Sequence, residues 1–284
     1  WAAAYIATNP ADNTAEIERA KAVACAALYR LTTNAAHQAA MRAIIEADSE
    51  RNTPVWITPS RIHFAAFIYL LLTYADYPNL DLGYYSTLGN RYVTMANNNE
   101  ASATGAASTG NGLRVVIDDY RSYMLGTFSS PRIYVSAVAH ALTGQKKHLD
   151  TAHHAAAYAL GGNEMNMVHM TGIGDNPERF AFHPDSWFLL DYSSKVYVNP
   201  PLPGYVLYAG DMTSWVGGIG DERWSHSSCW PNFITNWPRS EGRIFNRNSI
   251  NSSEFTVPQS QLPMAFTLGF LCGVPHGPYT PPAR

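Results

Sequence analysis

Length, composition and charge restrict this chain to a few classes of protein. Of its 284 residues, 46% are hydrophobic and only 14% are charged, so the chain can bury a sizeable core and is too apolar for a disordered protein. The formal net charge of −3 includes no basic stripe, which counts against nucleic acid as a partner. The apolar run from Phe67 to Leu72 is too short to cross a bilayer, so we expect no membrane partner.

Apolar residues at helical spacing predict helices at the start of the chain. The first helix covers Thr14 to Leu31, the second covers Ala35 to Ala47, and Ser60 opens the third as its cap. A fourth covers about Leu82 to Ala96. The predicted apolar face of the first helix is formed by Ile17, Ala20, Val23, Ala24, Ala27, Leu28 and Leu31, and that of the third by Phe64, Phe67, Ile68, Leu71 and Leu72.

A polar, glycine-rich stretch separates these helices from a second pair. Residues 97–112 are small and polar, which predicts an exposed loop. Two further helices, about Pro131 to Leu142 and Lys147 to Leu160, flank the turn Thr143-Gly144-Gln145. Together they predict an antiparallel helical hairpin.

The region after the hairpin has a different character. Residues 161–253 are crowded with Gly, Pro, Asn, Ser and Trp, which predicts a long functional loop region, and an apolar helix follows near Leu262 to Leu271. Helical hairpins followed by one elaborate loop region favour an all-α toroid of helix pairs with the site at one end. Periodicity alone does not separate this fold from an α-solenoid, although no fixed-length repeat supports the solenoid.

Several phrases of the sequence resemble a known enzyme family. The phrases are YALGGN at 158–163, MTGIG at 170–174, PGY at 203–205 with AGD at 209–211, and RIFNRNSINSSEF at 243–255. They stand in the order found in the C-terminal half of a family 9 glycoside hydrolase catalytic domain. The resemblance implies an (α/α)6 toroid, here incomplete, in which a missing N-terminal segment or another chain completes the ring.

The resemblance implies a domain organisation and an activity. We expect residues 1–284 to form one domain, with helical hairpins in 1–160, a loop-rich active-site region in 161–257 and a C-terminal helix in 258–273. The activity is cellulase-type: inverting hydrolysis of β-1,4-glucan or a related polysaccharide, in which an acid protonates the leaving oxygen and a carboxylate activates water. Glu254 stands where the family keeps the acid, although a surface glutamate near a helix start would look the same.

The second carboxylate of the mechanism has no clear counterpart. The family takes its base from a "DAGDY"-like motif near the start of the catalytic domain, and no such motif exists in this sequence. The nearest string, Asp118-Asp119-Tyr120, lies too far along the chain. A rival function is therefore a non-catalytic family 9-like protein that binds carbohydrate or builds an extracellular assembly.

The resemblance also suggests residues that contact sugar. His183 and Ser186 fit the family's substrate-binding "HHR-S" phrase, whereas Phe182 and Pro184 replace its other histidine and its arginine. Arg247 would contact substrate or pair with a local carboxylate. Tryptophan faces stack on sugar rings, so the cleft candidates, which could equally pack within the loops, are Trp187, Trp215, Trp224 and Trp230.

Cofactors and compartment are less constrained. Cys25, Cys229 and Cys272 are widely separated, and the adjacent His153 and His154 of a helix point about 100° apart, so no metal-ligand spacing is present. We expect no cofactor; the family resemblance allows a structural calcium without assigning its ligands. It also implies a secreted protein that binds a polysaccharide or oligosaccharide.

Overall fold

The part of the chain that the computed structural model describes is mostly helical. The structure describes residues 15–52, 60–72, 76–104, 133–163, 165–178, 190–191, 196–197, 202–207 and 260–274. The helices are α1 (Ala15–Thr32), α2 (Ala35–Ala47), α3 (Arg61–Leu70), α4 (Leu82–Thr104), α5 (Ile133–Thr143), α6 (Lys146–Ala159) and α7 (Leu262–Gly273), with a 3₁₀ turn at Ser49–Asn52. All the predicted helices are confirmed, and their predicted ends lie within two residues of the observed ends except at the end of α4.

Helix α4 is longer than the sequence pattern predicts. It continues through Thr104, so the prediction of an exposed loop is wrong for residues 97–104, and residues 105–112 lie outside the described part of the chain. The physical reason is that no glycine or proline interrupts the chain between Gly89 and Gly105. Once a helix has formed, each further residue adds a hydrogen bond, so a polar stretch free of helix breakers can extend it.

A tight turn joins α1 and α2 into an antiparallel hairpin. Thr33 has a φ of 57°, and its amide donates to the Tyr29 carbonyl at 2.8 Å, which ends α1. Asn34 then caps α2 by accepting from the Ala36 amide at 2.9 Å. At the other end of the hairpin, Arg19 Nε lies 2.8 Å from Asp48 Oδ2. This contact and the turn hold the two helices side by side.

Aromatic side chains fill the core where α1, α3 and α4 meet, and one buried amide organises its polar edge. Tyr69 is fully buried, and its hydroxyl donates to Gln38 Oε1 at 2.7 Å. The same oxygen accepts from the Asp81 amide at 2.8 Å. Gln38 therefore satisfies a core hydroxyl and a backbone group that precedes α4, which ties α2, α3 and α4 together.

Helix α5 lies at the centre of the described helices. Every residue from Ile133 to His140 is buried, as expected for a helix covered on all sides. It packs against α4, α6 and α7. Gly144, with a φ of 68°, makes the turn into α6, and this confirms the predicted hairpin.

Helix α6 buries an unusual histidine. His148 has no solvent-exposed surface, and neither of its ring nitrogens has a hydrogen-bond partner. Burial, together with the nearby Lys147 and His140, lowers the pKa of His148 to about 4. The ring is therefore held in the neutral form.

The buried face of α1 differs from the predicted one. The residues that it buries are Ala22, Ala26 and Tyr29, on nearly the opposite side of the helix at 100° per residue. Leu31, a predicted core residue, is 80% exposed, and Leu28 is 41% exposed. Leu71 of the predicted α3 face is also exposed. These three assignments were wrong because a helix that is apolar on two sides does not reveal which side meets its neighbour.

Short strands follow the helical hairpins. Strand β1 (Val168–Thr171) pairs in parallel with β2 (Pro177–Glu178), and β3 (Leu190–Asp191) pairs antiparallel with β4 (Val196–Tyr197). Within the ranges given above, no helix is long and apolar enough to cross a membrane.

Candidate functional site

Three of the phrases singled out in the sequence, at 158–163, 170–174 and 203–205, lie side by side in one backbone unit, which we call the platform. The Thr171 amide donates to the Tyr205 carbonyl at 2.9 Å, and the Gly204 amide donates to the Thr171 carbonyl at 2.8 Å. Met170 and Val206 form an antiparallel bridge one step further along. Segments 168–174 and 202–207 thus form a continuous backbone unit that sits at the end of α6.

Glycines in this platform occupy positions that a side chain could not. A Cβ on Gly162 would lie 2.9 Å from the Ala157 carbonyl oxygen, which is backbone and cannot move aside. Gly172 has a φ of 63°, and its Cβ would lie 3.1 Å from Pro203. The first glycine lets the chain turn sharply off α6, and the second lets segment 202–207 approach β1.

Asn163 is the hydrogen-bonding centre of the turn after α6. Its Nδ2 donates to the carbonyls of Tyr158 and Met167, both at 2.7 Å. Its Oδ1 accepts from the amides of Met165 at 3.1 Å and Met167 at 3.2 Å. Asn163 is buried, and all four of these bonds go to backbone groups. Asn163 therefore joins the end of α6 to the start of β1.

A buried histidine and carboxylate link the two strands. His169 on β1 places Nδ1 3.3 Å from Glu178 Oε1 on β2, and each side chain is only 3% exposed. On the other side of the ring, Nε2 lies 3.3 Å from Asn163 Nδ2. The turn, the first strand and the second strand are thus connected through three side chains.

The C-terminal helix is attached to the same platform. Gln261 precedes α7, and its amide pairs with the main chain of Val206: Oε1 accepts from the amide at 3.2 Å, and Nε2 donates to the carbonyl at 2.8 Å. Met264 of α7 packs with Val206 and Ala159 in a small buried cluster. These two hydrogen bonds are the kind that a neighbouring strand would make with Val206, and they hold the start of α7 beside the platform.

The residues predicted to act on sugar lie outside the described part of the chain. They are Glu254, His183, Ser186, Arg247, Trp187, Trp215, Trp224 and Trp230. Their roles stay predictions. These residues belong to segments 179–189 and 208–259, whose described neighbours in the chain are Glu178 and Leu190 for the first and Leu207 and Ser260 for the second.

The sequence alone did not predict a role for most of the described residues that organise the platform. His169 and Glu178 had no assigned role, and Asn163 was noted only as part of a phrase. One signal was available: His169 is a polar residue inside the apolar stretch from Met167 to Met170.

The platform contains no recognisable metal centre in its described part. Among the residues that the structure describes, no three His, Cys, Asp or Glu side chains gather as ligands for an ion. Cys25 and Cys272 are free thiols. No calcium ligand set can be assigned from these residues.

Comparison with solved structures finds the same fold in larger proteins. An endoglucanase from Alicyclobacillus acidocaldarius, solved as its D468A mutant, superposes with a TM-score of 0.65 at 16% identity, covering 91% of this chain and 44% of its own. A GH9 protein from Bacteroides ovatus gives a TM-score of 0.59 at 15% identity, with coverages of 89% and 40%. A metagenome-derived family 9 endoglucanase gives a TM-score of 0.59 at 17% identity, covering 88% of this chain and 40% of its own. The chain spans less than half the length of these proteins.

Sequence comparison supplies the family. No curated protein matches the chain. A family model described as glycosyl hydrolase family 9 matches residues 11–246, most of the chain, and ends before Glu254. The all-α fold and the toroid prediction agree with this match, and the described helical hairpins form part of an (α/α)6 toroid. The chain belongs to glycosyl hydrolase family 9.

Proposed function

We propose that this protein is a cellulase-type glycoside hydrolase that cleaves β-1,4-glucan or a related polysaccharide. The observation that carries the proposal is the assembly of phrases 158–163, 170–174 and 203–205 into one hydrogen-bonded platform at the end of a helical hairpin. Family membership and the similarity to two endoglucanases support the same substrate class.

The proposed mechanism is inverting acid/base hydrolysis with Glu254 as the acid. A protonated Glu254 would give its proton to the glycosidic oxygen as the bond to the leaving sugar breaks, while a carboxylate on the opposite face of the ring removes a proton from a water molecule whose oxygen bonds to the anomeric carbon. His183, Ser186 and Arg247 would hold sugar hydroxyls, and the four tryptophan candidates would stack on sugar rings. The base has no assignment among residues of this sequence.

Replacing Glu254 with Gln tests the acid. The amide keeps the shape but cannot give a proton, so turnover on a soluble β-1,4-glucan should fall by roughly 10²–10⁴-fold while sugar binding persists. The matched control is Glu18→Gln on α1, which breaks only a partly exposed pair with Lys21 and should leave turnover unchanged. Equal turnover in the Glu254 variant and the wild type would remove Glu254 from the mechanism.

The second candidate is a non-catalytic carbohydrate-binding or structural role. Two features favour it: the sequence lacks a "DAGDY"-like base motif, and Phe182 and Pro184 occupy two positions of the "HHR" phrase. A binding protein would take up cello-oligosaccharides without releasing new reducing ends. Calorimetric binding and a reducing-end assay on the same samples separate the two functions.

We also propose that another part of the toroid, from the same protein or from a second chain, covers the outward apolar face of α1. The supporting observation is the exposure of Leu31 and Leu28 on this helix. If the face is covered in the native protein, Leu31→Ala should lower the free energy of unfolding by about 2–5 kcal/mol. A change below about 0.5 kcal/mol would mean that the face is open to water.

Extracellular action follows from the proposed substrate, since a polymer must be cleaved where the enzyme can reach it. Recovery of activity in the culture medium of cells that express the natural gene would test this location. Activity confined to the cell interior would contradict it.

A further inference from the structure

A pocket lies between α2 and the residue that precedes α4, on side chains that the proposed function does not use. Its volume is about 380 Å³, within the range of about 300–1,000 Å³ that is usual for small-molecule sites. The residues that line it are Gln38, Ala39, Arg42, Ala43, Glu46 and Asp81. None of them belongs to the platform, so the pocket is a separate feature of the fold.

One part of the pocket is apolar. Ala39 and Ala43 are exposed residues of α2. They stand four positions apart in the helix, so their methyl groups are neighbours on one face. These two methyl groups give a ligand a small apolar surface to lie against.

The polar side chains of the pocket are held in place by the protein itself. Asp81 accepts from the Tyr84 amide through Oδ1 at 3.0 Å and from Arg42 Nη1 through Oδ2 at 2.7 Å. The Arg42 guanidinium also lies over the Tyr84 ring, 4.9 Å from its centroid. Gln38 is fixed by its bonds to Tyr69 and Asp81. Groups that are ordered before binding lose little conformational freedom when a ligand arrives.

The charges of the pocket are paired, which argues against an ion as its ligand. Asp81 pairs with Arg42, and the two oxygens of Glu46 lie 3.0 Å and 3.1 Å from Arg91 Nη2. A charged ligand would have to compete with these pairs. Hydrogen-bonding capacity remains, because a carboxylate oxygen can accept more than one bond and Nε and Nη2 of Arg42 have no acceptor within the described part of the chain. The pocket thus offers donors and acceptors to a neutral ligand.

We propose that this pocket is a second carbohydrate-binding site, which takes a neutral mono- or disaccharide unit. A sugar hydroxyl both donates and accepts, so neighbouring hydroxyls can bond to Arg42 and to a carboxylate at once. The C–H face of the same ring would lie on the methyl groups of Ala39 and Ala43. The inference rests on the proposed function only in the choice of sugar, a β-1,4-linked glucose unit.

Two leucine substitutions on the same helix test the location of the site. Ala39→Leu fills the pocket from its apolar side, whereas Ala40→Leu places the same side chain at the next exposed position, outside the lining. Leucine forms helices nearly as well as alanine, so both variants should fold. Sugar binding in this pocket makes the two variants differ, and sugar binding elsewhere does not.

The measurement is a titration of the whole chain with cellobiose, followed by the NMR signals of the Ala39 and Ala43 amides. Both signals should shift saturably in the wild type, and the Ala43 signal should do the same in Ala40→Leu but not in Ala39→Leu. Affinity at Ala43 should fall about tenfold or more in Arg42→Ala, the effect of losing a hydrogen bond to a charged group. Signals that do not move in the wild type, or equal affinity in Ala39→Leu and the wild type, overturn the proposal.

A reducing-end assay on the same wild-type sample separates this inference from the proposed function. If cellobiose shifts the Ala39 and Ala43 signals but a soluble β-1,4-glucan yields no new reducing ends, hydrolysis fails and the second site stands. If the glucan is cleaved while these two signals stay in place, the second site fails and the proposed function stands.

Discussion

Lowering the pH should destabilise this fold through a single residue of α6. His148 is fully buried without a hydrogen-bond partner, and its pKa is about 4 in the folded protein compared with the ordinary value of 6.5. Between these two values the unfolded chain binds a proton that the folded chain does not. Stability from this group is therefore complete above about pH 6.5 and is lost progressively as the pH falls towards 4.

The magnitude follows from the gap between the two pKa values. Each pKa unit corresponds to about 1.4 kcal/mol, so the largest contribution of His148 is about 3 kcal/mol. Most of this is lost below pH 6, and between pH 7 and pH 5 the loss amounts to about 2 kcal/mol. A domain is typically stable by about 5–15 kcal/mol, so the effect is large enough to measure.

Urea denaturation at pH 7 and pH 5 on the wild type and His148→Leu isolates the contribution. Other groups titrate in the same range, so the predicted quantity is the difference between the two pH dependences, about 2 kcal/mol. His153→Gln, on the exposed side of the same helix, is the matched control and should keep the wild-type dependence. Identical pH dependence in the wild type and His148→Leu, or an NMR titration of His148 near 6.5, would refute this reasoning.

Two further substitutions test the packing described above. Gln38→Leu removes the acceptor shared by the Tyr69 hydroxyl and the Asp81 amide and leaves the hydroxyl only a 3.4 Å contact with the Asp81 carbonyl, so it should cost about 1–3 kcal/mol in urea denaturation. Tyr69→Phe should cost less, and an equal loss would show that the shared acceptor is unimportant. Gly162→Ala forces a methyl group against the backbone of α6 and should cost more than about 1 kcal/mol, whereas Gly269→Ala, which meets open space in α7, should be neutral or slightly stabilising; equal effects at the two glycines would contradict the steric argument.

The sequence predicts the helices well because each carries its own periodic signal and breakers. It does not predict which face of α1 is buried. The structure buries alanines such as Ala22 and Ala26 and leaves Leu28 and Leu31 outward, because small side chains let α1 lie close to its neighbours. Hydrophobicity ranks leucine above alanine, whereas close helix approach favours the smaller residue. That choice depends on the partner helix and not on α1 itself.

The candidate site is predictable to a smaller extent. The phrases around Asn163 and Thr171 could be recognised, because turns after helices leave short, distinctive strings. The contact of His169 with Glu178 could not, because it depends on an irregular pairing of two very short strands. The proposed acid, Glu254, stays a prediction from resemblance alone, since the family match ends before it and the described residues do not include it.

The pairing of Gln261 with Val206 has an evolutionary consequence. One side chain holds together the two points between which the chain departs after Leu207 and returns at Ser260. When two points of a chain are held together in this way, doubling the length of a flexible connection between them costs only about 0.6 kcal/mol in closure entropy. A change in the number of residues between these two points is therefore cheap for the scaffold in closure entropy. Gln261 itself would be among the residues least free to vary.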